Sequence, residues 1–225
     1  MGLISRSIKL TAYSGTAVVG SFFIWTRNCK IDPLPPSDYL WNSPAHRAQN
    51  PNGNATVNDI LVRKVPLSQI HPRLLENKGK LVEAFCAGVW GGIGFAFQRA
   101  YLARKYQGPR TAHQLWSTDE LRRSTYEVGT EMTDHFKVIE KTDDRIIVRC
   151  GDSPLKTGVR EADGLFEMSL AVKKEEGVAE FYLKSLFFNG LSGNKEDKPM
   201  PYWIEWLHQQ YAKLLMESAI QNVLG

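Results

Sequence analysis

The sequence has no acidic residue before Asp32, whereas four basic residues, Arg6, Lys9, Arg27 and Lys30, lie in the same stretch. The whole chain has 28 Lys and Arg against 24 Asp and Glu, so the charges balance once those four are set aside. The formal charge of +4 therefore belongs to the N-terminus. Because a nucleic-acid surface needs a concentrated basic patch, the neutral remainder predicts no nucleic-acid partner.

The chain also lacks the common sequence signatures of cofactor and metal sites. Its three cysteines, Cys29, Cys86 and Cys150, are isolated, and the absence of C-x-x-C speaks against a zinc ribbon or a disulfide framework. There is no phosphate-binding loop, dinucleotide glycine fingerprint, H-E-x-x-H or G-x-S-x-G. We therefore predict no cofactor and no metal, and no motif identifies a reaction.

What the N-terminus does have is an uncharged, largely apolar run over residues 10–26. A membrane-spanning helix needs ~20 such residues, with a lower limit of ~17. Trp25, followed by Arg27 and Lys30, is typical of the place where a helix leaves the hydrocarbon. We predict a single-pass membrane anchor within residues 1–30. A cleaved signal peptide and a mitochondrial presequence are the alternatives, and mitochondrial and endomembrane locations are not distinguished.

The remainder divides into a predicted linker and one folded domain. Residues 31–57 are rich in Pro and Asn, which indicates a spacer. Residues 58–225 suffice for one domain with its own core. They begin with a strand near residues 60–65, followed by a glycine-rich helical stretch over 81–106. We expect that stretch to be buried and kinked at Gly91 and Gly92, a second membrane pass through residues 84–98 being the alternative.

Period-two alternation predicts antiparallel strands in the second half of the domain. Residues 165–188 form the clearest hairpin, with Lys173 expected beside Glu180, and Glu167 and Lys184 expected on a solvated face. Apolar residues at three- and four-residue spacing then predict a helix from Trp203 to residue 223. The predicted fold class is α+β, with a curved antiparallel sheet gripping a long C-terminal helix.

Several segments resemble a widespread family of uncharacterised small proteins with a START-like fold, also called helix-grip or polyketide-cyclase-like. They are TYEVGTEMTDHFKVIEKTDDRIIVRCGD, GLFEMSLAVKK, GVAEFYLKSLFF and WLHQQYAKLLMESAIQNV. The phrases KLVEAFCAGVWGG and RCGDSP are similar to a fungal group of membrane-anchored proteins with the same layout. The resemblance implies a cavity between the sheet and the C-terminal helix for a hydrophobic small molecule, and it includes no catalytic signature.

Candidate site residues are of two kinds. The aromatic and thioether side chains expected to surround the cavity are Trp90, Phe166, Met168, Phe181, Phe187, Trp203 and Tyr211. The polar candidates are His135 in an acidic turn, Arg149 and Asp152 at a strand end, and His208 in the terminal helix. Cys150 would be a reactive thiolate only if Arg149 supplied a nearby cation, and the favoured interpretation is an inert thiol at a strand end.

Three functional hypotheses follow. The first is a membrane-anchored domain that binds a hydrophobic small molecule or lipid, with residues 10–26 in the membrane. The second is an enzyme, a cyclase, dehydratase or isomerase acting on a polyketide-like substrate of specialised metabolism. The third is a hot-dog thioesterase-like protein, in which residues 81–106 would be one central helix wrapped by the sheet. The oligomeric state is left open.

Overall fold

The computed structural model describes residues 20–225, and the first of these, residues 20–25, are helical (α1). Most of the predicted membrane span, residues 10–19, therefore lies outside the described residues. Thr26 and Cys29 are already buried, and the Cys29 thiol donates to Oε1 of Glu217 at 3.3 Å. The folded domain thus begins before residue 30, earlier than the sequence predicts.

The described chain is α+β, with seven strands and seven further α-helices after α1. The strands are β1 (Lys30–Asp32), β2 (Thr56–Pro66), β3 (Glu131–Met132), β4 (Phe136–Lys141), β5 (Arg145–Gly151), β6 (Asp163–Lys173) and β7 (Val178–Phe188). The helices are α2 (Tyr39–Asn42), α3 (Pro44–Gln49), α4 (Pro72–Glu76), α5 (Lys80–Gly91), α6 (Ile93–Tyr106), α7 (Thr118–Arg123) and α8 (Tyr202–Gln221). Two short 3₁₀ turns occupy Leu67–Gln69 and Pro109–Thr111.

All seven strands form one antiparallel sheet in the order β1-β2-β7-β6-β5-β4-β3. The predicted hairpin of β6 and β7 is confirmed, and Lys173 Nζ lies 2.9 Å from Oε2 of Glu180. Helix α7 begins with a capping box, a short-range S-x-x-E pattern, because the Ser117 hydroxyl accepts from the backbone of Glu120 while the Glu120 carboxylate accepts from that of Ser117. Local patterns therefore specify these elements correctly.

The main core lies between one face of the sheet and the helices α5 and α8. The two helices approach each other closely because Gly88 of α5 has no side chain. A Cβ at Gly88 would lie 2.6 Å from Cα of Ala219, which is well inside van der Waals contact (~3.5–4.0 Å). Small residues thus bring α5 and α8 together as one layer over the sheet.

The glycine-rich stretch is broken where the sequence predicts a kink. Gly92 is extended rather than helical, and α5 and α6 meet at an angle of 55°. A Cβ at Gly92 would lie 2.1 Å from Oγ of Ser218 and 2.2 Å from the carbonyl oxygen of Gly88. The single helix over residues 81–106 that the hot-dog hypothesis requires is therefore two helices, and α8 shares the sheet face with them.

The opposite face of the sheet is covered by the segment that the sequence interprets as a linker. Leu34 and Leu40 pack there against Leu165, Leu186 and other residues of a second, smaller core. The linker interpretation of residues 31–57 is thus wrong for this structure, because the segment forms β1, α2 and α3 against the sheet. Its prolines shape turns between short elements and do not hold it away from the domain.

A buried ion network fixes this outer layer. Lys184 Nζ lies 2.8 Å from Oδ2 of Asp38 and 2.8 Å from Oε1 of Glu167. Glu167 is 1% exposed and Lys184 is 8% exposed, so their predicted placement on a solvated face is wrong. The alternation of β6 and β7 is real, but both faces of these strands are buried.

Candidate functional site

A cavity of about 400 Å³ lies between the sheet and the helical layer. This volume falls within the ~300–1,000 Å³ range of small-molecule sites. Strands, helices and the turn before β4, which holds His135, all contribute to its wall. The lining residues are Val89, Trp90, Gln98, His135, Phe136, Cys150, Gly151, Phe166, Met168, Leu183, Phe187, Ile204, Leu207, His208, Tyr211 and Leu215.

The regular spacing of residues along strands and helices points many of these side chains into the cavity. On β6, Phe166 and Met168 are two residues apart and so point to the same face. On α8, Leu207, Tyr211 and Leu215 recur every four residues and therefore share one helical face. One face of β6 and one face of α8 therefore line the same cavity.

Aromatic rings make up much of the cavity wall. Trp90 of α5 and Phe136 of β4 have ring centroids 4.5 Å apart, and Phe166 and Phe187 meet edge to face at 5.4 Å. The imidazole of His208 stacks on Phe166 at 6.0 Å and meets the edge of Phe187 at 4.8 Å. These ring contacts hold a polar side chain within an apolar wall.

Two buried polar residues lie behind His208. Asp59 of β2 and Ser185 of β7 are direct cross-strand partners, each 2% exposed. The Ser185 hydroxyl donates to Oδ1 of Asp59 at 2.6 Å, and Nε2 of His208 lies 3.1 Å from Oγ of Ser185. Oδ2 of Asp59 lies 3.4 Å from the same Nε2. The three residues form a continuous polar contact from the sheet to the cavity wall.

Tyr211 adds a second polar group one helical turn further along α8. Its hydroxyl oxygen is buried and has no hydrogen-bond partner among residues 20–225. Burial alone raises the pKa of the Tyr211 phenol above its ordinary value. A neutral phenol with no partner in the wall of an apolar cavity is suited to donate to an acceptor on a bound molecule.

The cavity does not activate Cys150. Its thiol lines the cavity and is 3% exposed, and its pKa is raised by burial and, to a lesser extent, by the carboxylate of Asp163. The burial of Cys150 therefore supports the inert thiol that the sequence favoured, and not the thiolate alternative. Arg149 does not offset these effects, because its guanidinium is held by Asp163 on the other side of the strand.

Only two of the four polar residues predicted from the sequence lie at the cavity. His208 and His135 line the cavity. Arg149 instead forms a two-bond ion pair with Asp163, and Asp152 pairs with Lys156 at 2.7 Å. Neither Arg149 nor Asp152 faces the cavity, because Arg149 alternates with Cys150 along β5 and Asp152 follows the turn at Gly151.

Five of the seven apolar and aromatic residues predicted from the sequence line the cavity, and two do not. Trp90, Phe166, Met168, Phe187 and Tyr211 line the cavity. Phe181 points to the same side of the sheet but packs on Phe85 at 5.0 Å, inside the core. Trp203, in the first turn of α8, is 62% exposed and does not line the cavity. Phe181 and Trp203 are therefore not cavity residues.

Asp59 and Ser185 are not among the site residues predicted from the sequence. A signal for both was present, since each is a polar residue at an inward position of an alternating strand, Asp59 beside Leu61 and Ser185 between Leu183 and Phe187. The pairing of β2 with β7 was not readable from the sequence. That pairing is what joins the two residues.

Large apolar side chains are exposed on the two helices beside the cavity. On α6 they are Ile93, Phe97 and Tyr101, and on α8 they are Tyr202, Trp203, Trp206 and Leu207. Phe97 is 87% exposed and immediately precedes Gln98 of the cavity wall, while Leu207 both lines the cavity and is 48% exposed. The two helices that help to line the cavity thus also carry seven exposed apolar side chains.

Among residues 20–225, no one helix combines the length and the hydrophobicity that crossing a bilayer requires, and only the bent pair of α5 and α6 reaches them jointly. Within the same residues, no group of three or more His, Cys, Asp and Glu side chains is arranged to hold a metal ion. Comparisons of the chain with protein-family models, curated proteins and solved structures gave no match.

Proposed function

We propose that this chain is a membrane-anchored domain that binds a hydrophobic small molecule or lipid. The observation that carries the proposal is the cavity of about 400 Å³ with an aromatic and aliphatic wall. Burial of apolar ligand surface against such a wall contributes ~25 cal/mol for each Å² removed from water. A ligand with an apolar body and one or two polar groups matches this wall.

The membrane part of the proposal is supported by two features that are far apart in the sequence. The first is the uncharged run over residues 10–26 with its basic flanks. The second is the exposed apolar surface of α6 and α8, which includes two tryptophans and two tyrosines. Trp and Tyr are enriched where proteins meet the headgroup region of a bilayer. An apolar ligand concentrated in the bilayer would meet the cavity at this surface.

We further propose a START-like, helix-grip arrangement for the domain. The supporting features are the seven-stranded antiparallel sheet, the long helix α8 across it and a cavity between the two. Fold alone does not establish function, so the cavity and its wall support the binding proposal.

The test is to purify the full-length chain from membranes in detergent, extract it with organic solvent and identify bound molecules by mass spectrometry. Leu183→Trp fills the cavity from β7, and Val172→Trp is the matched control, since Val172 lies on β6 outside the cavity and is 40% exposed. We expect one class of apolar molecule with the wild type and Val172→Trp, and much less of it with Leu183→Trp. Equal amounts in all three proteins would contradict binding in this cavity.

Deletion of residues 1–19 tests the anchor separately, because it leaves α1 and the buried Cys29 in place. We expect the shortened chain to leave the membrane fraction under conditions of high salt, where the full chain stays. If both sediment with membranes equally, residues 10–19 are not the anchor.

The second candidate function, an enzyme acting on the bound molecule, is favoured by one observation. His208 lines the apolar cavity with a buried carboxylate and a buried hydroxyl behind it. A cavity that only holds an apolar molecule does not need this arrangement.

A further inference from the structure

We propose that His208 is an acid–base residue that moves a proton on a carbonyl compound held in the cavity, with Asp59 and Ser185 as positioning residues. The inference rests on the proposed function, since the substrate must first bind in the cavity. It goes beyond it by assigning a reaction class, the isomerisation of an apolar carbonyl compound through its enolate.

The hydrogen bonds determine which nitrogen of His208 carries hydrogen. The Ser185 hydroxyl uses its only hydrogen on Oδ1 of Asp59 at 2.6 Å, so Oγ of Ser185 can only accept from Nε2 of His208 at 3.1 Å. Nε2 is therefore the protonated nitrogen of the neutral ring. Nδ1, which makes no hydrogen bond to any residue of the described range 20–225, keeps its lone pair.

The carboxylate of Asp59 stabilises the imidazolium form of His208, which forms when the ring acts as a base. Oδ2 of Asp59 lies 3.4 Å from Nε2 and has no hydrogen-bond partner of its own among the described residues. When Nδ1 takes a proton, the imidazolium lies against this carboxylate, so the charge is compensated inside the domain. Contacts with Phe166 and Phe187 hold the imidazole ring of His208 in place. Nε2 therefore stays against Ser185 and Asp59, and Nδ1 stays on the opposite side of the ring.

The phenol of Tyr211 supplies the complementary group. His208 and Tyr211 are three residues apart on α8, so they lie on neighbouring positions of one helical face, and both line the cavity. The Tyr211 hydroxyl is buried without a partner, and burial raises its pKa, so it remains a donor. It is suited to hydrogen-bond a carbonyl oxygen and to stabilise that oxygen as it becomes negative.

The reaction balances without any cofactor. Nδ1 of His208 accepts a proton from a carbon next to the carbonyl, and the electron pair of the broken C–H bond forms the C=C bond of the enolate. The enolate oxygen accepts a hydrogen bond from Tyr211. The proton then returns from Nδ1 either to the same carbon or, in an unsaturated ketone, to the far end of the conjugated system. The second route moves the double bond, with no net oxidation.

The test uses the full-length chain in non-ionic detergent and 2-decalone, a compact bicyclic ketone, dissolved in D₂O. Loss of the α-proton signals in NMR measures C–H cleavage directly, and a separate titration measures decalone binding. We expect exchange well above the buffer rate with the wild type. His208→Gln should lower the exchange rate by ~100-fold or more, down to the buffer rate, the typical contribution of a general base.

Three further variants separate the roles. Tyr211→Phe should reduce exchange because the enolate loses its donor. Asp59→Asn should reduce exchange by ~10-fold or more while leaving the decalone dissociation constant unchanged, which a merely structural role would not do. Ser185→Ala provides a second positioning variant should Asp59→Asn fail to fold. His113→Gln removes a histidine on the protein surface, 59% exposed at its side chain, and should leave exchange unchanged.

Binding of decalone without accelerated exchange overturns the catalytic proposal and leaves the binding function standing. Absence of binding overturns both. Exchange that persists undiminished in His208→Gln also overturns the assignment, because another group would then be the base.

Discussion

Gly88→Ala tests the closest contact in the helical layer that forms one side of the cavity. In an ordinary helix this change stabilises by ~1 kcal/mol, since Ala is the better helix former. Here the new Cβ would lie 2.6 Å from Cα of Ala219, 2.7 Å from its carbonyl oxygen and 2.8 Å from Cβ of Asn222. The first of these distances falls roughly 1 Å short of van der Waals separation.

Relief of the overlap requires α5 and α8 to move apart, because the nearest two atoms belong to the backbone. Overpacking of this kind costs ~1–3 kcal/mol, which exceeds the helix-propensity gain. Once the propensity gain is subtracted, we expect a net destabilisation of up to about 2 kcal/mol, or a fall in melting temperature of up to roughly 8 °C for a chain of this size. The movement also displaces Val89 and Trp90, so binding of an apolar probe should weaken as well.

Thermal and chemical denaturation of the purified protein measure this change. Gly108→Ala is the control, since a Cβ there meets nothing within 4 Å, and it should leave the melting temperature unchanged or slightly raised. The double variant Gly88→Ala with Ala219→Gly should not restore stability, because the overlap is with the backbone of Ala219. A higher melting temperature for Gly88→Ala, or full rescue by Ala219→Gly, would refute the close approach of the two helices.

Three further outcomes are expected. Lys184→Met leaves Glu167, 1% exposed, without its cation, so it should lower the free energy of unfolding by ~3–5 kcal/mol, and adding Glu167→Gln should recover much of that loss. Lys64, Tyr182 and Lys173 together lower the pKa of Glu180 to about 2. Its stabilising contribution is therefore complete above the ordinary pKa of 4.5 and is lost as the pH falls toward about 2. The difference in unfolding free energy between wild type and Glu180→Gln should thus be larger at pH ~7 than at pH ~3, and a constant difference would contradict the assignment. Because burial raises the pKa of the Cys150 thiol, iodoacetate should not modify it in the folded protein but should do so in denaturant, as intact-mass measurement will show.

Local sequence patterns predicted much of the sheet and its terminal helix. Alternation over β6 and β7 and the helical spacing along α8 are short-range features, and each is present in the structure. The same alternation misplaced Glu167 and Lys184, because a charged residue at every second position looks the same whether it faces water or a buried ion partner. Asp38, which completes that network, is 146 residues away from Lys184 in the chain.

The site was predictable only where it depends on those short-range patterns. Phe166, Met168 and Phe187 follow from strand alternation, and Tyr211 follows from helical spacing. The support behind His208 depends instead on the register of β2 against β7, which places Asp59 opposite Ser185. Register between distant strands is set by the whole sheet, so no local pattern identified the two residues.

The ligand site between the sheet and α8 is tested most directly by the binding stoichiometry of an apolar probe, taken by native mass spectrometry of the full-length chain released from detergent. We expect one molecule of 2-decalone on the wild type and on Val172→Trp, and none on Leu183→Trp, whose indole occupies the cavity. Equal binding to all three proteins, or binding to none of them, would contradict a ligand site between the sheet and α8.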